Sequence, residues 1–100
     1  NPDIKALEAA RTNVIATAPG RASDFVSRFF GPASGVDEDP VTGSAHCTLA
    51  PYWFQRLEKT ALKARQVGPR SGALEVRAGA SGRVLLVGSA LRYLDGVIRL

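Results

Sequence analysis

The sequence has no methionine and only one cysteine, and this composition excludes several kinds of site. With Cys47 alone, an intrachain disulfide and a metal site built on paired thiolates are excluded. No apolar run approaches the about 20 residues that span a bilayer, and residues 1–10 lack the charged and then apolar layout of a secretory signal. We therefore expect a cytoplasmic protein that does not contact a membrane. The missing initiator methionine indicates a processed, trimmed or partial product.

What the chain does contain is typical of one small globular domain. Its 100 residues are 45% apolar and 22% charged, without a low-complexity tract. A chain of this size can bury roughly two thirds of the surface that its unfolded form exposes. The composition therefore predicts a single domain over residues 1–100 with one modest core.

The net charge of +4 comes from the second half of the chain, where eight basic residues accompany two acidic ones from Lys59 onward. A basic half can indicate a phosphate-binding surface for nucleic acid. Here the basic residues mostly alternate with apolar ones in strand-like segments, and no stacking aromatics lie between them. That pattern favours the outward face of a half-buried sheet, so we expect no nucleic-acid partner.

The hydrophobic pattern predicts strands on both sides of one long helix. A proline-started, acidic first turn predicts a short helix within residues 2–10. Turn residues separate the predicted strands, which are Asn13–Ala18, Asp24–Phe30, Leu62–Val67, Leu74–Ala78, Arg83–Gly88 and Leu91–Leu100. Asp95 and Gly96 suit either a turn or a bulge in the last strand. Two prolines, two glycines and three acidic residues make Gly31–Val41 a predicted loop.

The long helix begins where Thr42 or Gly43 can cap it and runs to about Leu57. Apolar residues occupy one face at four-residue spacing and most of the other faces as well, which predicts burial all round with Cys47 as a small core residue. Pro51 favours a local distortion. We therefore expect an α+β fold in which a curved, mostly antiparallel sheet wraps one central buried helix.

The segment DEDPVTGSAH, residues 37–46, places carboxylates, a proline-fixed turn and a Gly-Ser pair directly before and within the start of this helix. Unpaired N–H groups and the positive end of the helix dipole attract a carboxylate or another anion. Gly43 lets a ligand approach the backbone, and the Ser44 hydroxyl adds a donor. Asp39 can bind an amino or hydroxyl group or move a proton. The segment is therefore a candidate ligand site.

Structural explanations for the same residues remain open. An Asp-Pro pair is a common turn former, and Thr42 and Ser44 are common helix caps. His46 is either a pocket hydrogen-bond donor or a satisfied core residue. Arg28 can neutralise the acidic loop, bind a substrate carboxylate or simply point outward. The two acidic residues before Asp39 are expected to be solvated.

Ser27–Trp53, with the sequence SRFFGPASGVDEDPVTGSAHCTLAPYW, is similar to the signature of the PhzF-like phenazine-biosynthesis family, whose fold is that of diaminopimelate epimerase. The flanks NPDIKALEAARTNVIATA and KARQVGPRSGALEVRAGASGRVLLVGSALRYLDG follow the same family, so the chain resembles its C-terminal half. The resemblance implies two domains, each a curved sheet around a helix, with the active site between them. It also implies proton-transfer isomerisation that needs neither a metal nor an organic cofactor.

The resemblance maps the family's aspartate and Gly-Ser pair onto Asp39, Gly43 and Ser44. We expect Asp39 and Ser44 to be catalytic residues, with Thr42, Gly43 and His46 binding the substrate. That substrate is expected to be a small carboxylate-bearing metabolite, of which a dihydro-hydroxyanthranilate-like compound is the family's example. The proton-carrying glutamate comes from the family's N-terminal half, so Asp39 should stay ionised and orient the substrate.

A second, non-catalytic hypothesis is a truncated family member that binds anions or dimerises. Half of a two-domain protein exposes the apolar residues that its sister domain normally covers, and such patches favour association. The expected protein partner is therefore a second copy in a homodimer or an N-terminal half-domain.

Overall fold

The computed structural model describes residues 1–100 and contains a six-stranded sheet with one long helix packed against it. The elements in chain order are α1 (Ile4–Ala9), β1 (Val14–Pro19), β2 (Phe25–Gly31), β3 (Val36–Asp39), α2 (Gly43–Leu57), β4 (Ala61–Gln66), β5 (Gly72–Ala78) and β6 (Val84–Val87). The predicted α+β class is confirmed. Neither helix has the length and apolar character required to cross a membrane.

The sheet has the strand order β1-β2-β4-β5-β6, and β3 pairs with β2 off this path. Only β2 and β4 are parallel, and all other pairs are antiparallel. A parallel pair needs a crossover connection, and α2 supplies it here. Because Ser27 of β2 pairs with Gln66 and Phe29 pairs with Asp39, the ends of β3 and β4 lie close together at the start of α2.

The core lies between α2 and the sheet. Trp53 stacks on Phe25 with ring centroids 5.5 Å apart and donates from Nε1 to Thr17 Oγ1 at 3.0 Å. The other buried apolar residues of this cluster are Leu49, Ala50, Leu62, Ala64 and Val76. Since these contacts fix the helix against β2, β4 and β5, they also fix where its first turn lies.

Burial of α2 is confined to the face that meets the sheet, which carries Ala45, His46, Leu49, Ala50 and Trp53. Cys47, Pro51 and Tyr52 are exposed on the remaining surface. The predictions of a helix buried all round and of Cys47 as a core residue are therefore wrong for this chain, because a single sheet layer covers only one side. The helix continues through Pro51 without a break.

The loop predicted over Gly31–Val41 is wrong in part, since it contains a 3-10 turn at Pro32–Ser34 and the strand β3. Gly35, in the left-handed region at φ 81°, reverses the chain, and β3 then pairs with β2. Acidic residues have weak strand propensity, but pairing with a neighbouring strand overrides it.

The strand predicted over Leu91–Leu100 is also wrong, because residues 88–100 form no regular secondary structure. Asp95 and Gly96 therefore make neither a turn nor a bulge. Apolar side chains here are almost fully exposed, with Leu91 at 92% and Tyr93 at 96%. An alternating apolar pattern produces a strand only where a neighbouring strand supplies hydrogen bonds and a surface to pack on, and this segment has neither.

Candidate functional site

The turn between β3 and α2 is held by the buried side chain of Gln66, the last residue of β4. Gln66 Oε1 accepts the Thr42 N–H at 2.8 Å, and Nε2 donates to the Asp39 carbonyl at 2.5 Å and to Thr42 Oγ1 at 3.1 Å. Only 1% of Gln66 is exposed. Because both amide hydrogens and the amide oxygen are used, the side chain can hold the turn in one arrangement only.

Thr42 in turn fixes the orientation of the Asp39 carboxylate. Its hydroxyl oxygen accepts from Gln66, so its single hydrogen is available for the carboxylate, and it donates to Asp39 Oδ2 at 2.5 Å. The Thr42 side chain therefore does not cap α2. The N–H groups of Gly43, Ser44 and Ala45 make no hydrogen bond within the chain, and Gly43 and Ser44 are exposed. The start of α2 consequently offers free donors beside an oriented carboxylate.

His46 lies behind this turn, in the core. Its ring is fully buried, Nδ1 lies 2.7 Å from the Thr42 carbonyl oxygen, and the ring centroid is 6.0 Å from that of Phe25. Nε2 has no hydrogen-bond partner. His46 is therefore buried like a core residue but is not fully satisfied, and its assignment to substrate binding stays a prediction.

Arg28 and Glu38 form a bidentate ion pair across β2 and β3, with N···O distances of 2.8 and 2.9 Å. The guanidinium also lies 4.7 Å from the centroid of the Phe30 ring. Arg28 therefore neutralises part of the acidic segment, one of its predicted roles. The expectation that Glu38 is solvated is wrong, because its side chain is only 17% exposed, whereas Asp37 is exposed as expected. Hydrogen bonding from Arg28 lowers the pKa of Glu38.

An NMR titration of the side-chain carboxyl carbons should show Glu38 protonating below its ordinary pKa of 4.5, and in Arg28→Gln the midpoint should return toward that value. Since the pKa is lower in the folded state, the pair stabilises the fold above about pH 4.5, and this contribution is lost as the pH falls through the folded pKa. The stability difference between wild type and Arg28→Gln should shrink accordingly. A Glu38 midpoint that is equal in both proteins contradicts this account.

A cavity of about 320 Å³ lies beside the turn and is lined by Val36, Glu38, Asp39, Pro40, Pro69 and Arg70; we call it the site cavity. Two larger hollows, of about 390 and 470 Å³, contain none of the predicted site residues. The residues Thr42, Gly43, Ser44 and His46 line no cavity. The structure therefore brings Asp39 and Thr42 together, leaves Gly43 and Ser44 on the adjoining surface, and places only Asp39 in a concave region.

Gly72, the first residue of β5, packs directly against this turn. A Cβ built on Gly72 would overlap Val41 Cγ2 and come within 3.5 Å of the Pro40 carbonyl oxygen. Gly72→Ala is therefore expected to push the turn away and to lower the free energy of unfolding by about 1–3 kcal/mol, the usual cost of overpacking. Urea denaturation measures this. Gly88→Ala is the control, since a Cβ there meets nothing within 4 Å, and equal effects of the two substitutions would refute the close packing.

Sequence analysis missed Gln66, Arg70 and Gly72. One signal for Gln66 was present: Leu62, Ala64 and Gln66 are buried at alternate positions of β4, so a polar residue occupies a core-facing site. A polar side chain at such a position needs hydrogen-bond partners, and the nearby turn supplies them. Nothing in the pattern around Arg70 and Gly72 indicated that their loop lies against residues 36–41.

Comparison with known proteins agrees with this architecture. Residues 1–96 match the family model described as "Phenazine biosynthesis-like protein". Two uncharacterised isomerases of Pseudomonas aeruginosa are 55% and 50% identical to this chain over 99% of its length. The crystal structure of a phenazine biosynthesis PhzC/PhzF protein from Clostridium difficile superimposes on the whole chain with a TM-score of 0.85 at 36% identity.

The fold and these relatives define a class of α+β proteins, some of which are named isomerases. The chain belongs to the phenazine biosynthesis-like, or PhzF-like, family. It spans 38% of the length of each Pseudomonas relative and 39% of the Clostridium chain. The resemblance seen in Ser27–Trp53 is therefore confirmed, and the chain corresponds to part of each of these longer relatives.

Proposed function

We propose that this chain forms one side of the active site of a cofactor-free isomerase or epimerase, which moves a proton on a small carboxylate-bearing metabolite. The observation that carries the proposal is the fixed position of Asp39, which Thr42 and Gln66 hold beside three free amides at the start of α2. Relatives that are named isomerases support the reaction class.

Each residue has a role in this proposal. Asp39 binds an amino or hydroxyl group of the substrate, since its Oδ1 has no partner within the chain. The Gly43 and Ser44 amides, with the Ser44 hydroxyl, hold the carboxylate at the positive end of the helix. Thr42 and His46 keep the turn in place through the Asp39 carboxylate and the Thr42 carbonyl. A glutamate from the rest of the protein carries the proton.

The same proposal gives the chain a partner. We infer that residues 1–100 act as one domain of a cytoplasmic protein and associate with an N-terminal half-domain or with a second copy. The exposed side of α2, with Tyr52 at 48% exposure, and the exposed apolar side chains within residues 91–100 support such an interface. The alternative of a truncated, non-catalytic anion-binding or dimerising module is not favoured, because the similar proteins are named isomerases.

The proposal is tested by incubating the complete gene product in D₂O with a dihydro-hydroxyanthranilate and with other small unsaturated amino and hydroxy carboxylates. Deuterium is expected to enter at a single carbon, as followed by NMR, at the same rate before and after EDTA treatment. Exchange should require no added organic cofactor. No exchange with any of these compounds, or exchange that EDTA abolishes, contradicts the proposal.

A further inference from the structure

The site cavity is bounded by two segments that are distant in sequence. One is β3 with the turn after it, which contributes Glu38 and Asp39, and the other is the loop between β4 and β5, which contributes Pro69 and Arg70. The two prolines and Val36 give it apolar walls of restricted conformation. Its volume, about 320 Å³, lies within the range of small-molecule sites.

The charged residues that line the site cavity differ in how far other residues of the chain pair with them. The Glu38 carboxylate is already paired with both Nε and a terminal nitrogen of Arg28. Asp39 accepts a single side-chain hydrogen bond, from the Thr42 hydroxyl. The Arg70 guanidinium makes no hydrogen bond or ion pair in the structure. The residues that line the cavity therefore include one carboxylate with a free oxygen and one exposed arginine whose guanidinium has no partner within the chain.

Arginines within the strands use their donors inside the chain, whereas the exposed Arg70 and Arg83 in the connecting segments do not. Arg28 and Arg77 each form bidentate pairs with a glutamate, and Arg65 donates to Ser71 Oγ at 3.2 Å. A guanidinium presents its donors in a planar fork that matches the two oxygens of a carboxylate. Arg70 has this capacity unused at a concave surface, next to the carboxylate to which the proposed function assigns the substrate's polar group.

We propose that Arg70 is a substrate-binding residue that takes the carboxylate of the ligand in the site cavity. Arg70 supplies a positive charge inside the site cavity, whereas the amides of Gly43 and Ser44 are neutral donors outside it. The inference rests on the proposed function for the role of Asp39, which binds the amino or hydroxyl group of the ligand. The role of Arg70 is argued from the cavity alone.

Binding of three non-reacting aromatic compounds to the complete gene product tests the roles of Arg70 and Asp39 separately. Benzoate carries only a carboxylate, aniline carries only an amino group, and anthranilate carries both. Binding constants come from NMR titration or calorimetry. Arg70→Gln is expected to weaken benzoate and anthranilate binding by about tenfold or more, as for the loss of a charged hydrogen-bond pair, and to leave aniline binding unchanged. Arg70→Lys should fall between, since a point charge lacks the fork.

Arg83→Gln is the matched control, because Arg83 is exposed, makes no side-chain ion pair and lies outside the cavity. Wild type that does not bind benzoate, or benzoate binding that is equal in wild type and Arg70→Gln, overturns the inference. Equal losses in Arg70→Gln and Arg83→Gln do so too, since they indicate a general charge effect. If benzoate binding depends on Arg70 while proton exchange is absent, the proposed function fails and this inference stands.

Discussion

Replacing Asp39 with asparagine is expected to lower proton exchange by the complete gene product about a hundredfold, the loss that follows when a substrate group is no longer correctly held. The substitution keeps the shape of the side chain. Asparagine Oδ1 can still accept the Thr42 hydroxyl hydrogen, and the main-chain bond from Gln66 to residue 39 does not involve the side chain. The charge that binds an amino or hydroxyl group is removed while the turn remains in place.

Asp37→Asn is the control for Asp39→Asn, since it makes the same chemical change two residues earlier at an exposed position of β3. It should leave exchange unchanged. Initial rates of deuterium incorporation, measured at saturating and at low substrate, separate weaker binding from a slower step. If Asp39→Asn exchanges protons at the wild-type rate, Asp39 has no part in the mechanism, and the site must be sought elsewhere.

Periodicity and turn residues predicted the elements that carry a regular local pattern. The helix from Gly43 to Leu57 was found because its start carries cap residues and its apolar spacing is regular over four turns. The antiparallel neighbours β4 and β5 were found because turn residues separate them. In each case the local sequence pattern agrees with the observed element.

Elements whose presence or absence depends on strand pairing, against the local propensity or pattern, were missed. β3 exists because its acidic segment pairs with β2, and residues 91–100 have a strand pattern but no strand to pair with. The exposure of Cys47 on α2 has the same origin, since an apolar face does not reveal which layer covers it. At the site, the motif identified Asp39 and the start of α2, but Gln66 bonds to the turn from 24 positions away, and Arg70 lines the same cavity as Asp39 from another loop.

Among these distant contacts, Gln66 is expected to have the largest effect on stability. Gln66→Leu removes three hydrogen bonds at a buried position and leaves the Thr42 N–H and the Asp39 carbonyl without their partner. An unsatisfied buried polar group costs about 1–3 kcal/mol, so the free energy of unfolding should fall by about 3–5 kcal/mol. That is a large share of the about 5–15 kcal/mol that stabilises a typical domain.

Gln55→Leu makes the same substitution at an exposed position of α2 and is the control. Surface changes of this kind usually alter the free energy of unfolding by about 0.5 kcal/mol or less. Urea denaturation gives both values, and amide hydrogen exchange at Thr42 reports on the turn itself, since its N–H bonds directly to Gln66. Exchange at Thr42 should accelerate in Gln66→Leu by a larger factor than at core amides of β5, because the turn loses its own hydrogen bonds in addition to global stability. Equal stability of the two variants, or unchanged Thr42 exchange, would show that the turn holds Asp39 without Gln66.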